Sequence, residues 1–311
     1  MDRRDFLKAA SAAGLALGAG PAWSGPGRVP RRPLGATGVS VSVVGLGGIT
    51  VSGRGEAEAR GMVDRAFERG IDYVDVAPTY GDAEQLLGAA LEPHRERCFL
   101  AGKTNKRTAA EAGPELASSL DRLRTDRLDL YQLHALRSRE DVETAFGAGG
   151  AIETLRQARE AGTVRFLGFS AHSVEAALAA MDRFAFDTIL FPVNRALWSA
   201  GFGPQVVARA VDQGVGVLAL KSLARGRWPA GVERSRPTWY EPHADPGQIR
   251  RAAAFTLSRG AASLLPPGDP ELFWPAVDAC TAPAEATPSA AEEDRPEAGA
   301  GDPLFRYPAW S

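Results

Sequence analysis

The chain has 311 residues, 44% hydrophobic and 24% charged, with a formal net charge of −2. That much apolar side chain can fill a sizeable core and excludes global disorder, while a near-neutral balance without a basic stripe excludes a dedicated nucleic-acid binder. Only two cysteines occur, Cys98 and Cys280, with no CxxC pair, which excludes a disulfide-dense scaffold and a cysteine-ligated metal module.

Residues 1–24 read as an address rather than as structure. Arg3-Arg4-Asp5-Phe6-Leu7-Lys8 resembles the twin-arginine export signal of bacteria. The weakly apolar run that follows, 9–20, falls short of the roughly 20 residues a bilayer span needs, and Ala22-Trp23-Ser24 offers a small-x-small cleavage site. The expectation is export to the bacterial periplasm or cell exterior, with the twin-arginine machinery as partner and no stable membrane span.

Arg31 to Ser42 then reads as a hairpin turning at Gly35-Ala36-Thr37-Gly38. Apolar runs at 43–47, 71–75, 98–102, 128–133, 164–169, 188–191, 215–220 and 262–265 are strand candidates. Between them lie helix-period stretches at 56–69, 115–123, 152–160, 174–181, 204–212 and 246–257. In the first of these, Ala59, Met62, Val63, Ala66 and Phe67 share one face. Glycines 70, 162, 214 and 260 stop helices ahead of the next strand. Strand and helix alternating around eight strands predicts parallel α/β architecture, and at this length a (β/α)8 TIM barrel with an N-terminal β-hairpin, spanning 30–281. No GxGxxG turn follows the first strand, which disfavours an open dinucleotide-binding sheet. Residues 282–311 open on an Ala-, Pro- and Glu-rich stretch expected to be disordered. Leu304, Phe305, Tyr307 and Trp310 near the end leave docking on the barrel and a free tail both open. Pairing of Cys98 with Cys280 is likewise left open.

In a barrel, functional residues stand at the C-terminal ends of strands. Asp75 ends the second strand with Tyr80 just after it, Lys103 ends the third, and His134 ends the fourth. Each alone is as readily a cap, a loop residue, a solvated lysine or a neutral core histidine. Their succession on consecutive strands is what singles them out.

Asp75-x-Ala77-x-x-Tyr80-Gly81, Lys103-Thr104 and Asp129-Leu130-Tyr131-x-x-His134 resemble the aldo-keto reductases in composition and order. Arg31-x-Pro33-Leu34-Gly35 through Gly45-Leu46-Gly47 resembles the family's opening, and Gly162 through Ser170 its fifth strand. The likeness runs over roughly residues 30 to 275. It implies an oxidoreductase that reduces the carbonyl of an aldehyde, ketone or sugar with hydride from NADPH, less often NADH. The substrate is then a small molecule and the protein a monomer or weak oligomer. Tyr80 would be the general acid, its pKa lowered by Lys103. Asp75 would hold Lys103, and His134 would donate a hydrogen bond to the carbonyl oxygen.

Cofactor contacts implied by the resemblance are Gly47, Gly48, Asp75, Ser170, Leu220, Lys221, Ser222, Leu223, Gly268 and Glu271. Many relatives follow the fifth strand with Ser-Asn, whereas here it is Ser170-Ala171-His172, so Asn194 is expected to hold the nicotinamide amide. Leu220 stands where many relatives place a stacking aromatic. Lys221 is either a pyrophosphate contact or a surface lysine. Asp269 and Glu271 put acids where a 2′-phosphate would want bases, which keeps NADH open beside NADPH. His172, Trp198 and Trp239 are candidate substrate contacts; a turn histidine and loop anchors are their plain alternatives. No metal site is expected. A second functional reading, a cofactor-binding barrel with little turnover that senses redox state or serves a partner, rests on the missing amide Asn and stacking aromatic. An unrelated metal-dependent barrel is disfavoured by a total of four histidines.

Overall fold

The computed structural model describes residues 27–281 and 301–307, so the stretch read as a twin-arginine export signal, 1–24, and most of the 282–311 tail lie outside the described residues. All eight expected barrel strands form: β3 (Leu46–Gly47), β4 (Tyr73–Asp75), β5 (Phe99–Thr104), β6 (Leu128–Leu136), β7 (Val164–Ala171), β8 (Thr188–Pro192), β9 (Gly216–Leu220) and β12 (Ser263–Leu264). They pair in parallel in chain order, β12 against β9. Gly45 N–H donates to the Leu264 carbonyl and Leu264 N–H to the Val43 carbonyl, each at 2.9 Å. The first and last strands therefore meet, closing a (β/α)8 barrel and leaving no sheet edge.

Each strand is buried on both faces, which is why the runs read as continuous rather than alternating. Inside, Tyr73, Phe99, Leu130, Phe166, Leu190 and Leu218 stack into one cluster. Alternate residues such as Val74, Leu100 and Leu167 face the helices. The expected hairpin forms from β1 (Arg31–Pro33) and β2 (Ser40–Ser42), antiparallel, with Arg31 opposite Ser42 and Pro33 opposite Ser40. Its Leu34 and Val41 enter the interior cluster and close the barrel's lower end, each burial contributing about 1.5–3 kcal/mol. Gly35 makes the turn at φ +53°, where an added Cβ would sit 2.4 Å from the Gly214 carbonyl oxygen.

The helices are α1 (Glu56–Glu68), α2 (Ala83–Leu91), α3 (Ala109–Arg122), α4 (Arg139–Phe146), α5 (Ala151–Glu160), α6 (Val174–Arg183), α7 (Arg195–Ser199), α8 (Pro204–Asp212), α9 (Pro246–Ser258) and α10 (Pro270–Thr281). The face of α1 that is buried is the one its periodicity marks. α3 begins earlier than its pattern suggests and runs through Pro114, because Ala109 N–H is anchored on the Gly149 carbonyl at 2.8 Å. α2, α4, α7 and α10 were not legible as periodic stretches. α10 packs on α1, with Arg65 over the Trp274 ring at 3.9 Å and Arg69 paired to Asp278 at 2.8 Å. A short ribbon, β10 (Ala224–Gly226) with β11 (Glu241–Pro242), rises from the long loop after β9. Cys98 and Cys280 are both free thiols. Among the described residues, no helix is long and apolar enough to cross a membrane.

Residues 301–307 depart from the expectation of a disordered tail. Leu304 is buried, Phe305 stacks on His172 and on Phe202 at 5.3 Å each, and the Arg227 guanidinium donates to the Leu304 carbonyl at 2.9 Å. Apolar anchors that the Ala- and Pro-rich stretch lacks return here, and they find the barrel.

Candidate active site

A cavity of about 470 Å³ opens at the C-terminal end of the barrel. Asp75, Tyr80 and His134 line it, and Lys103 lies just beneath them, wholly buried. The parallel register places Asp75 beside Ala101, so the side chain of Lys103, two residues further along β5, reaches back to it. Lys103 Nζ donates to Asp75 Oδ1 and, at 3.1 Å, to the Val76 carbonyl. Asp75 Oδ2 accepts from Tyr73 Oη and Gln132 Nε2, each at 3.1 Å. A buried carboxylate needs this many donors, because unmet charge in a dry interior is costly.

Lys103 Nζ lies 5.2 Å from the Tyr80 ring centroid. Burial works against its charge, but Asp75 and Tyr80 outweigh that and hold the ammonium above its ordinary value. For Tyr80 the balance corrects the sequence expectation. Burial pushes the phenol up, Lys103 pulls it down, Asp75 pushes it up again, and the net is above the ordinary tyrosine value. Tyr80 therefore stays protonated at neutral pH, the state a proton donor must have.

Tyr80 and His134 meet edge to face, ring centroids 5.9 Å apart. Burial, then the Lys103 charge, depresses the imidazole to about 2, so His134 is neutral. Its Nδ1 lies 2.7 Å from the Asn105 side-chain oxygen, while Asn105 Nδ2 is buried without a partner. An amide can present either end. Presenting Nδ2 to the ring gives that nitrogen an acceptor and leaves the proton on Nε2. Ala135 follows at φ +54°, a conformation its Cβ disfavours. Two bonds hold this turn: Ala135 N–H to Ser170 Oγ and Arg107 to the His134 carbonyl, each at 2.7 Å. Asn105 and Arg107 went unread in the sequence, although their place just beyond Lys103 was the available signal.

Of the further sequence candidates, Gly47, Ser170, His172, Leu220, Lys221, Trp239 and Gly268 line the cavity. The rest do not. Asn194 is buried with both ends engaged: Oδ1 caps α7 by accepting from Leu197 N–H at 2.9 Å, and Nδ2 donates to the Lys221 carbonyl at 3.0 Å. Gly48 packs on Val76, Leu223 joins Ile249 and Leu272 in an outer cluster, and Ser222 donates to the Leu265 carbonyl. Trp198 anchors α7 on Phe255 rather than facing substrate. Glu271 is exposed, and Asp269 is buried at the start of α10, where it accepts from Glu271 N–H. The expected clash of these acids with a phosphate is softened by Arg236, 3.1 Å from Asp269 and 2.5 Å from Glu271. Arg234, from the same loop, lines the cavity.

A dinucleotide fits what is present. The Ser170 hydroxyl, already an acceptor, keeps its proton to donate to an amide. Leu190, Leu220 and Leu265 give an apolar wall for a ring, and Gly47 and Gly268 admit backbone approach.

Comparison with known proteins agrees. The sequence profile of the Aldo/keto reductase family matches residues 43–253. The chain is 30% identical over 213 residues to the aldo-keto reductase YhdN of Bacillus subtilis, covering 61% of each protein. It is 26% identical over 256 residues to L-galactose dehydrogenase of Arabidopsis thaliana, covering 75% of this chain and 77% of that one. An uncharacterized oxidoreductase of Bacillus subtilis, YqkF, is 30% identical over 154 residues, so the chain spans only 48% of it. Among solved structures, the holo form of aldo-keto reductase AKR11C1 from Bacillus halodurans superposes with a TM-score of 0.67 at 25% identity, covering 86% of this chain and 94% of that one.

Proposed function

Since the chain belongs to the aldo/keto reductase family, a family of oxidoreductases, we propose that it reduces the carbonyl of a small molecule at the cavity, with Tyr80 donating the proton. The observation that carries this reading is the buried chain Asp75, Lys103, Tyr80, ending on a protonated phenol inside the cavity. A nicotinamide cofactor, NADPH or NADH, supplies the hydride when bound. Gly47, Ser170, Leu220 and Gly268 are the residues set to receive it. As negative charge develops on the carbonyl oxygen, Tyr80 gives up its proton, and the adjacent Lys103 charge stabilises the phenolate left behind. Asp75 holds Lys103 in place from behind. His134, with Asn105 Nδ2 on its Nδ1, directs Nε2–H at the same oxygen and so fixes which carbonyl face is presented.

The test is Tyr80→Phe. General acids contribute on the order of 10² to 10⁴ in rate, so kcat should fall by that much while cofactor binding persists; near-full activity would remove Tyr80 from the role. The competing reading, a barrel that binds cofactor without turnover, predicts binding with no carbonyl reduced even by the unmodified protein. We further propose export through the leader at residues 1–24. Arg3→Lys with Arg4→Lys should retain the protein in the cytoplasm, and unchanged export would reject a twin-arginine route.

A further inference from the structure

We infer that the substrate is a carbonyl compound that also carries a carboxylate, recognised by Lys221 together with His172 in the cavity that Tyr80 lines. The inference rests on the reductase reading above and names its substrate class. Lys221 directly follows β9 at φ +61°, a backbone conformation unusual for a residue with a Cβ. Its carbonyl is fixed there by Asn194 Nδ2 and by Ala224 N–H, both at 3.0 Å. The turn delivers the side chain into the cavity, where Nζ lies 5.0 Å from the Trp239 ring centroid and 5.3 Å from that of Tyr240. Among the described residues, this ammonium has no carboxylate and no hydrogen-bond acceptor. Aromatic faces attract the charge but leave its N–H groups unmet.

Lys221 stands on the substrate side of the site. Its ammonium lies close enough to His172 to oppose protonation of that ring, and His172 lies close enough to His134 to do the same there, so the three groups lie near one another along the wall that leads to the reacting carbonyl. Trp239 lines the same cavity, and Phe305 supports both residues, stacked on His172 and 6.2 Å from Trp239. The His172 imidazole makes no hydrogen bond among the described residues and has a ring N–H to give. Asp75 is the only carboxylate among the cavity's lining residues, and Lys103 neutralises it. Arg234 adds a second cation. The cavity therefore presents net positive charge with unmet donors, and a substrate carboxylate supplies what they lack. Burial already weakens the Lys221 charge, to about 8, and a bound anion would restore it.

The experiment compares 4-formylbenzoate with its methyl ester, which share a reacting aldehyde and differ by one charge. With the full chain and NADPH, the carboxylate should be favoured in kcat/KM by about ten- to hundredfold, the range of one charge-assisted hydrogen bond, mostly through KM. In Lys221→Met the preference should collapse, and in Lys221→Arg it should return. A wild-type ratio near one, or a ratio that survives Lys221→Met, overturns the inference. A surviving ratio with weakened NADPH binding would hand Lys221 to the cofactor's pyrophosphate instead. If the protein reduces neither aldehyde, tryptophan fluorescence titration of the two compounds decides separately. Tighter binding of 4-formylbenzoate that Lys221→Met abolishes would keep the anion site and reject the reductase reading, whereas equal binding would reject both.

Discussion

Replacing Lys103 by methionine removes the ammonium that faces a carboxylate itself shut away from water. Side-chain exposures of 0% and 2% mean that solvent cannot take over its role. Removing one partner of such a pair costs about 3–5 kcal/mol. In a barrel of this size each kcal/mol moves Tm by roughly 2 °C, so Lys103→Met should melt about 6–10 °C lower. Tyr73 Oη and Gln132 Nε2 still donate to Asp75, which places the loss toward the lower end. Asp75→Asn leaves the opposite charge stranded and should cost a similar amount. The double variant buries no unpaired charge, so it should be markedly more stable than the sum of the two losses, with a coupling energy of about 2 kcal/mol or more. Activity should behave differently: all three variants should lose reduction, because none retains a charged lysine held beside Tyr80. Thermal unfolding followed by circular dichroism, with kcat measured on the same samples, reads both. Additive losses would mean that the pair is not coupled as the geometry implies. Activity returning with stability in the double variant would mean that Lys103 serves the fold alone.

Two imidazoles set the pH response. His134 and His172 are held at about 2 and about 3, chiefly by burial, against about 6.5 in the unfolded chain. Each is neutral in the fold, so its contribution is complete above about pH 6.5 and is lost as pH falls, because the unfolded chain then binds the extra proton. Between pH 7 and 5 each should cost at most about 2 kcal/mol of stability; His172→Gln should flatten the fall in Tm by its share, and an unchanged slope would contradict the burial argument. Arg236 offsets Asp269 and Glu271, so Arg236→Ala should weaken NADPH binding by about tenfold or more and NADH binding much less, as read by fluorescence titration; equal effects would show that these residues lie away from the adenosine phosphate.

Local chemistry was enough to read the eight strands, the hairpin and the succession Asp75, Tyr80, Lys103, His134. Buried strands announce themselves by unbroken apolar runs, and a barrel puts its chemistry where those runs end. Helix α2 escaped because it is buried nearly all round and so shows no amphipathic period, and α4 and α10 because their apolar faces are short or interrupted by Pro275. The same limit hid Asn105, Arg107, Gln132 and Arg236. A polar residue acquires a role only from what the fold sets against it, and each of these partners lies far along the chain. Asn194 erred in the opposite direction, since a side chain suited to a ligand was already committed to a helix start and to neighbouring backbone. Composition and order therefore determined the barrel and the succession of Asp75, Tyr80, Lys103 and His134 at its strand ends. Tertiary structure alone decided that burial outweighs Lys103 at Tyr80, that seven residues near the C-terminus return to the mouth, and that Lys221 faces the cavity without a counter-ion among the described residues. Desolvation and pairing depend on every element packed around a group, and no stretch of sequence contains that sum.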